Sequence, residues 1–255
     1  MTNIWSIVKK EIRSYFSSPV AYVVLFAYVF IFGIFFYTNV MWFNALSMQA
    51  AQNPYYQQQL NINLSVIAPL LHNMIIILIL VAPLLTMRLL AEEKKNGTEE
   101  LLYTSPLSVG QIIIGKYIAA LFMLTVMLAL TALLSTFAFI YGKPEFTPWL
   151  TGFLGLFLVG AMFIAIGIFF SSLTDNQIVA AILTLMTLLL FLVLNWASMQ
   201  GHGAWQSVLN YLTYSQHFNN LVQGIVETKN LVYFASFSFF GLFLTHSVLQ
   251  SRRWR

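Results

Sequence analysis

The chain has 255 residues, of which 59% are hydrophobic and 8% are charged, and its mean hydropathy is +0.79. These values exclude a soluble domain and predict an integral membrane protein. The formal net charge of +4 comes from basic residues that flank apolar runs, so it is expected to orient the chain in a lipid bilayer, and nucleic acid is not an expected partner. Cysteine is absent, which excludes disulfides, thiolate metal sites and cysteine nucleophiles.

Residues 3–16 are predicted to form an amphipathic helix that lies in the membrane interface. Its apolar members at three- and four-residue spacing are Ile4, Trp5, Val8, Ile12, Tyr15 and Phe16. A secretory signal peptide is the alternative interpretation. The charge-free run from Val20 to Val40 is longer than a signal h-region and no small-residue cleavage site follows it, which favours a retained anchor.

Six apolar runs are long enough to cross a hydrocarbon core, which needs about 20 residues. They cover about residues 20–40, 64–90, 112–141, 149–171, 178–197 and 231–249. Pro69 and Pro83 lie inside the second run and are expected to kink it, because each removes a backbone donor and clashes with the preceding turn. The predicted fold class is therefore all-α and polytopic.

The lysines and arginines predict the orientation of the spans. Of the 12 in the chain, all except Lys143 and Lys229 fall on one side of the six spans. The positive-inside rule then places both termini, Asp175 and the polar stretch between the second and third spans in the cytoplasm.

That polar stretch is predicted to form a short helix held crosswise between two long ones. Gly97 is expected to adopt the left-handed conformation that ends the preceding helix. Thr98 can cap a helix over 98–106, with two glutamates in its first turn, and Pro106 ends it. Ser108 and Gln111 have the spacing of a capping box, which opens the third span.

The outer side is predicted to carry an uncharged polar connection over 42–63 and a structured segment over 198–230. The second segment contains two apolar stripes, which indicate two short amphipathic helices in a hairpin that dips into the outer leaflet. The first stripe consists of Trp205, Val208, Leu209 and Leu212, and the second consists of Phe218, Leu221, Val222, Ile225 and Val226. An ordinary surface loop is the alternative. The hairpin residues of interest are Trp205, Tyr214, His217 and Phe218.

No catalytic motif is found. Gly110, Gly115 and Lys116 match part of a phosphate-binding loop, but Tyr117 replaces the magnesium-binding Ser or Thr, and isoleucines here begin a membrane helix. The match is interpreted as coincidental. The four histidines lack ligand spacing, so no metal site is predicted. His72 lies inside a span and is either a functional residue or a side chain that snorkels to the interface.

Two runs resemble the ABC-2 type transporter permeases. The first is PLLTMRLLAEEKKNGTEELLYTSP, from Pro83 to Pro106; the second extends from His217 to Phe234 and is followed by the terminal SRRW. Within the family, both runs are most similar to the subgroup of the gliding-motility permease and the permease for nitrous-oxide-reductase maturation. The resemblance covers nearly the whole chain.

The resemblance implies a six-span permease fold of the type V exporter kind in the bacterial inner membrane. It also implies pairing with a second copy or a homologous permease, binding of a cytoplasmic ABC ATPase that holds ATP and Mg, and a periplasmic accessory subunit as a further partner. This chain would bind no cofactor. The short crosswise helix would be the coupling helix that docks on the ATPase. The implied coupling residues are Glu92, Glu93, Thr98, Glu99, Glu100, Leu101, Leu102, Tyr103, Thr104, Ser105 and Pro106.

The function expected from this resemblance is ATP-driven export of a substrate. The alternative is a permease that transmits ATPase work to envelope assembly or motility machinery without carrying a solute. A membrane enzyme would need convergent polar residues at bilayer depth, and the charge-free spans argue against it.

Overall fold

The computed structural model describes residues 2–52, 61–98, 107–200 and 210–253, and these residues are helical except for short turns. The helices are α1 (Thr2–Ser17), α2 (Pro19–Gln52), α3 (Ala68–Lys95), α4 (Val109–Ser135), α5 (Phe137–Gly142), α6 (Phe146–Leu173), α7 (Gln177–Gln200), α8 (Tyr214–Val222) and α9 (Thr228–Arg253). A π-helical turn, Asn63–Ile67, precedes α3. The described residues form no strand, which confirms the predicted all-α class.

Among the described residues, six helical segments are long and apolar enough to cross a membrane, as the sequence predicts. They are α2, the π-helical turn with α3, α4, α6, α7 and α9. Helix α2 extends to Gln52, beyond the predicted end of the first span at Val40. Residues 42–52, which were expected to belong to a polar connection, are therefore helical. Alanine is the best helix former, glutamine, asparagine and serine are only mildly unfavourable, and no proline interrupts residues 42–52.

The third predicted span, residues 112–141, is interrupted at Thr136, where α4 gives way to the short α5. The hydroxyls of Ser135 and Thr136 donate to the carbonyl oxygens of Ala132 and Leu133, at 2.8 and 2.6 Å. Side-chain bonds of this kind compete with the helical backbone ladder. The two hydroxyl groups therefore explain a break that the apolar pattern alone does not indicate.

The two prolines of the second span have different roles. Pro69 lies directly after the π-helical turn in the same continuous span, so its missing N–H falls where the helix is already irregular. Pro83 lies inside α3, as predicted. The Thr86 hydroxyl, one turn later, donates to the carbonyl oxygen of Ala82 at 2.8 Å.

Helix α6 is the centre of the bundle, since it packs against α3, α4, α7, α8 and α9. Its small residues permit this close approach. A Cβ atom on Gly167 would overlap the Thr86 side chain of α3, and one on Gly155 would lie 3.1 Å from the Phe218 ring of α8. On the α9 side, a Cβ on Gly241 would lie 3.0 Å from the backbone of Ala165 in α6. Small residues at such contacts are typical of membrane helix pairs.

Gly167→Ala is expected to lower the thermal midpoint of the purified chain, because the added methyl group would overlap Thr86 in a close-packed core. Overpacking of this kind costs about 1–3 kcal/mol. The matched control is Gly33→Ala, whose added Cβ meets no heavy atom within 4 Å and should leave the midpoint unchanged. Thermal unfolding of both variants in one detergent measures the difference, and equal midpoints would contradict this packing.

Candidate functional site

A buried lysine joins three helices at one end of the bundle. Lys116 lies two turns into α4 and is 1% exposed. Its Nζ donates to Glu11 Oε1 of α1 at 2.8 Å and forms an ion pair with Glu93 Oε2 of α3 at 2.9 Å. An ammonium group buried without counter-charges would be strongly unfavourable. The two carboxylates therefore fix α1 and the end of α3 against the start of α4.

The close approach of α1 to α4 depends on Gly115. A Cβ at this position would lie 2.8 Å from Ile7 Cγ2, so a larger residue would push α1 away. Ile7 and Val8 are buried on this side of α1, one turn before Glu11. The apolar contact and the ion pair thus hold α1 on the same face of α4.

Glu93 also binds α1 through a second cation. Its Oε1 accepts a hydrogen bond from Lys10 Nζ at 3.2 Å, although the Lys10 side chain is largely exposed. Glu92, its neighbour, lies 3.9 Å from Arg88 Nε one turn earlier, a long and partly exposed pair that contributes little to stability. The two predicted coupling glutamates therefore differ: Glu93 lies in a buried cluster, and Glu92 is half-buried at its edge.

Tyr15 adds a second connection between α1 and α3. Its hydroxyl donates to the carbonyl oxygen of Leu85 at 2.7 Å in a buried position. Burial raises the pKa of the Tyr15 hydroxyl well above its usual range, so the group stays neutral. Helix α1 is consequently held to α3 at two levels, through Tyr15 and through Glu93.

The last turns of α3 are also held by the end of α6. Ser171 Oγ accepts hydrogen bonds from the backbone N–H groups of Leu90 and Ala91, both at 3.1 Å, and donates to the carbonyl oxygen of Met87 at 3.1 Å. Lys94 donates to the carbonyl oxygen of Ser172. The end of α3 is thus bonded to α1, α4 and α6.

Helix α3 ends as the sequence predicts. Gly97 has a φ of +69°, its N–H donates to Lys94 O at 3.1 Å, and the Thr98 N–H donates to Glu93 O at 3.0 Å. These two bonds form a Schellman motif. The Thr98 hydroxyl also donates to Glu93 O, at 3.2 Å.

The predicted capping box at the start of α4 is also confirmed. Ser108 Oγ accepts from the Gln111 N–H at 3.2 Å, and Gln111 Oε1 accepts from the Ser108 N–H at 3.1 Å. The predicted coupling residues from Glu99 to Pro106 lie outside the described residues, between these two fixed helix ends.

A cavity of about 170 Å³ opens beside the cluster, next to Thr98, and we call it the basal cleft. Among the described residues that line it, only Leu89 is apolar. The other lining residues are Lys10, Glu11, Ser14, Arg88, Glu92, Glu93, Asn96, Thr98 and Lys116. Charges of both signs are thus presented to whatever approaches the chain between α3 and α4.

The end of the bundle away from Lys116 holds the remaining predicted residues except Trp205, which falls outside the described part of the chain. Tyr214, His217 and Phe218 are buried in α8, and burial raises the pKa of Tyr214 to about 12. Phe218 packs against α6 at Gly155. The second predicted stripe is thus buried against protein up to Val222, while its last members, Ile225 and Val226, lie beyond the helix end and are exposed.

Two histidines connect α8 to its neighbours. His72 Nδ1 lies 2.7 Å from Ala68 O and its Nε2 lies 2.6 Å from the Asn219 side chain, which joins α3 to α8. His217 lies 2.9 Å from the Asn230 side chain of α9 and stacks on Tyr233 with ring centroids 4.1 Å apart. His72 therefore has a structural contact that neither sequence-based interpretation included.

A comparison with protein families agrees with this architecture. The model of the ABC-2 family transporter protein matches residues 5–249. The chain belongs to the ABC-2 family. It is a multi-pass membrane protein and a membrane permease component of an ABC transporter, and membership implies an ABC ATPase as partner. A comparison with curated proteins finds no match.

Sequence reasoning missed Lys10, Glu11 and Lys116 of this ABC-2 permease's charged cluster, and Tyr15 beside it. Lys116 was interpreted as a charge flanking a span and as part of a coincidental motif. One signal could have found it, because a lone lysine after three isoleucines at the start of a span needs a buried counter-charge. The sequence does not say which acid that is, because Glu11, Glu92, Glu93 and Asp175 are all predicted on the same side of the membrane.

Lys116→Met is expected to loosen α1, because it leaves the carboxylates of Glu11 and Glu93 without their shared cation. Breaking a buried ion pair in this way typically costs about 3–5 kcal/mol. The chain has no cysteine, so a Val8→Cys substitution on the buried side of α1 introduces a single reporter thiol. Its rate of labelling by a maleimide measures how often α1 moves away from the bundle. Labelling should be faster in the Lys116→Met background.

The matched control is Lys95→Met, which removes an exposed lysine at the end of α3 and should leave the labelling rate unchanged. Adding Glu11→Gln and Glu93→Gln to Lys116→Met should restore protection in large part, because no buried charge then lacks a partner. Equal labelling in the Lys116→Met and Lys95→Met backgrounds would show that the ion pairs do not hold α1.

Proposed function

We propose that this chain is the permease of an ABC exporter of the bacterial inner membrane, and that its ATPase docks on residues 98–106 and on the adjoining basal cleft. The observation that carries this proposal is the Lys116 cluster. The Lys116 ammonium group lies 2.8 Å from the Glu11 carboxylate and 2.9 Å from the Glu93 carboxylate. These contacts fix the end of α3, which precedes the segment, and the start of α4, which follows it. A segment mounted between fixed ends can transmit a displacement to the spans.

The coupling mechanism needs differential binding. ATP can shift the permease between two conformations only if the closed ATPase dimer binds the segment better in one of them. Glu99 and Glu100 give the segment a negative charge, and Glu92 adds another carboxylate at the rim of the basal cleft. Basic side chains on the ATPase would complement it.

The proposed orientation has both termini in the cytoplasm. Because the six candidate spans are an even number, the two termini would lie on the same side of the membrane. Lys10 and Lys116 both contact Glu93 at one end of the bundle. At the opposite end, Asn63 Nδ2 donates to the backbone of Glu145, close to Lys143 in sequence. The clustering of cations at the first end agrees with the positive-inside rule.

We also propose that ATP and Mg bind only to the partner subunit. Gly115 and Lys116, the residues that resemble a phosphate-binding loop, are engaged in helix packing: the glycine faces Ile7 and the lysine ammonium binds two carboxylates. Their roles here explain the residue types without any nucleotide. A second permease copy or homologue would pack on the apolar faces of α2, α7 or α9, which are mostly exposed in the single chain.

Reversal of the charges in the segment, Glu99→Lys with Glu100→Lys, is expected to abolish co-purification of the ATPase while the spans still insert. The control is Glu145→Lys with Glu227→Lys, which changes net charge equally at the opposite end of the bundle. Mild-detergent affinity purification with mass spectrometry measures recovery. An ATPase that still binds the first variant would refute the docking site, and a folded wild-type chain that recovers no ATPase would refute the function.

Gly97→Pro is expected to separate binding from coupling. Gly97 has a φ of +69°, whereas proline is confined to a φ near −65°, so the Schellman motif at the end of α3 cannot form. The ATPase should still be recovered, because the segment's side chains are unchanged. In reconstituted vesicles, the response of ATPase rate to the permease should be lost; a normal response would argue against transmission through this helix end.

A further inference from the structure

The outward face of α1 carries a ridge of three exposed residues with four-residue spacing, Trp5, Lys9 and Arg13, which we call the cationic ridge. Four-residue spacing places them one above another on one side of the helix. No carboxylate lies within ion-pair distance of Lys9 or Arg13 among the described residues. Glu11, the only acid of α1, is turned inward to Lys116. The ridge therefore presents positive charge without compensation.

The ridge continues onto a lipid-facing stripe of α2. Phe16, three residues after Arg13, contacts Tyr22 edge to face with ring centroids 6.1 Å apart. Tyr22, Phe26 and Phe30 are 55%, 71% and 57% exposed and again have four-residue spacing. They extend about 12 Å along α2, within the roughly 15 Å of hydrocarbon in one leaflet. The cationic ridge is thus connected to the apolar stripe of α2 through the contact of Phe16 with Tyr22.

We propose that this corner binds an anionic phospholipid. The phosphate group lies against Lys9 and Arg13, the Trp5 indole lies among the headgroups, and an acyl chain follows the aromatic stripe of α2. Helix α1 ends at Ser17 and the first span begins at Pro19, so the ridge lies at the level of the headgroups. An exposed tryptophan next to cations is typical of a membrane interface and is unfavourable on a surface open to water.

A protein partner fits the same surface less well. A protein would have to cover both the ridge and the apolar stripe of α2, which crosses from the headgroup layer into the hydrocarbon. A phospholipid carries an anionic headgroup, which suits the cationic ridge, and next to it an acyl chain, which suits the apolar stripe of α2. Since the proposal depends only on α1 lying at the headgroup level, and not on the ATPase, its failure would leave the proposed function untouched.

The test uses the full chain, delipidated in detergent, with phosphatidylglycerol or phosphatidylcholine added in mixed micelles. Native mass spectrometry counts bound lipid, and thermal unfolding reports its effect. A cation near a lipid surface is worth about 5-fold in affinity, so Lys9→Gln with Arg13→Gln should reduce the preference for phosphatidylglycerol about 30-fold. The charge-conserving Lys9→Arg with Arg13→Lys should retain it, as should Lys143→Gln on the opposite side.

Three results would overturn the proposal. These are no preference for phosphatidylglycerol in the wild type, an equal preference in the glutamine variant, or protein adducts in place of lipid adducts from a photo-crosslinker placed at Lys9 in native membranes. Should the glutamine variant fail to fold, the wild type alone decides: its preference must fall as ionic strength rises, because the contact is electrostatic. A preference that is insensitive to salt would refute it.

Discussion

The burial of one ammonium group organises one end of this permease. Lys116 is held by carboxylates from two other helices, and each charge neutralises a buried charge of opposite sign. Without the lysine, Glu11 and Glu93 would lie as like charges in a poorly hydrated site, and without both acids the lysine would be buried unpaired. Because the three charges come from α1, α3 and α4, their mutual neutralisation sets the positions of these helices together.

Helix α6 extends this order to the opposite side of the bundle. At one end Ser171 bonds to the backbone of α3, and at the other the Thr151 hydroxyl donates to Leu221 O of α8 at 2.6 Å. Between them, small residues such as Gly155 and Gly167 bring the neighbouring helices close. The helix that contacts the end of α3 therefore also contacts α8, with continuous packing between the two.

Local and long-range features of this fold were unequally predictable. The spans followed from hydropathy, and the helix ends at Gly97 and Ser108 followed from residues within one turn of each other. The Lys116 cluster did not, since Lys116 lies 105 residues from Glu11 and a single sequence gives no pairing between distant charges. The side of α1 that faces protein was also hidden, because an amphipathic pattern does not distinguish lipid from an apolar helix as the covering surface.

The magnitude of the ionic contacts decides which parts of the permease would move together if an ATPase acts on residues 98–106. Breaking a buried ion pair costs about 3–5 kcal/mol, whereas coupling free energies between sites are typically about 1–3 kcal/mol. The Lys116 cluster should therefore stay intact through a transport cycle. Helix α1 and the adjoining ends of α3 and α4 would then shift as one body. Any bending in α3 would fall nearer to Pro83, where the backbone lacks a donor, than at its end, where hydrogen bonds to Ser171 and the charged cluster oppose it.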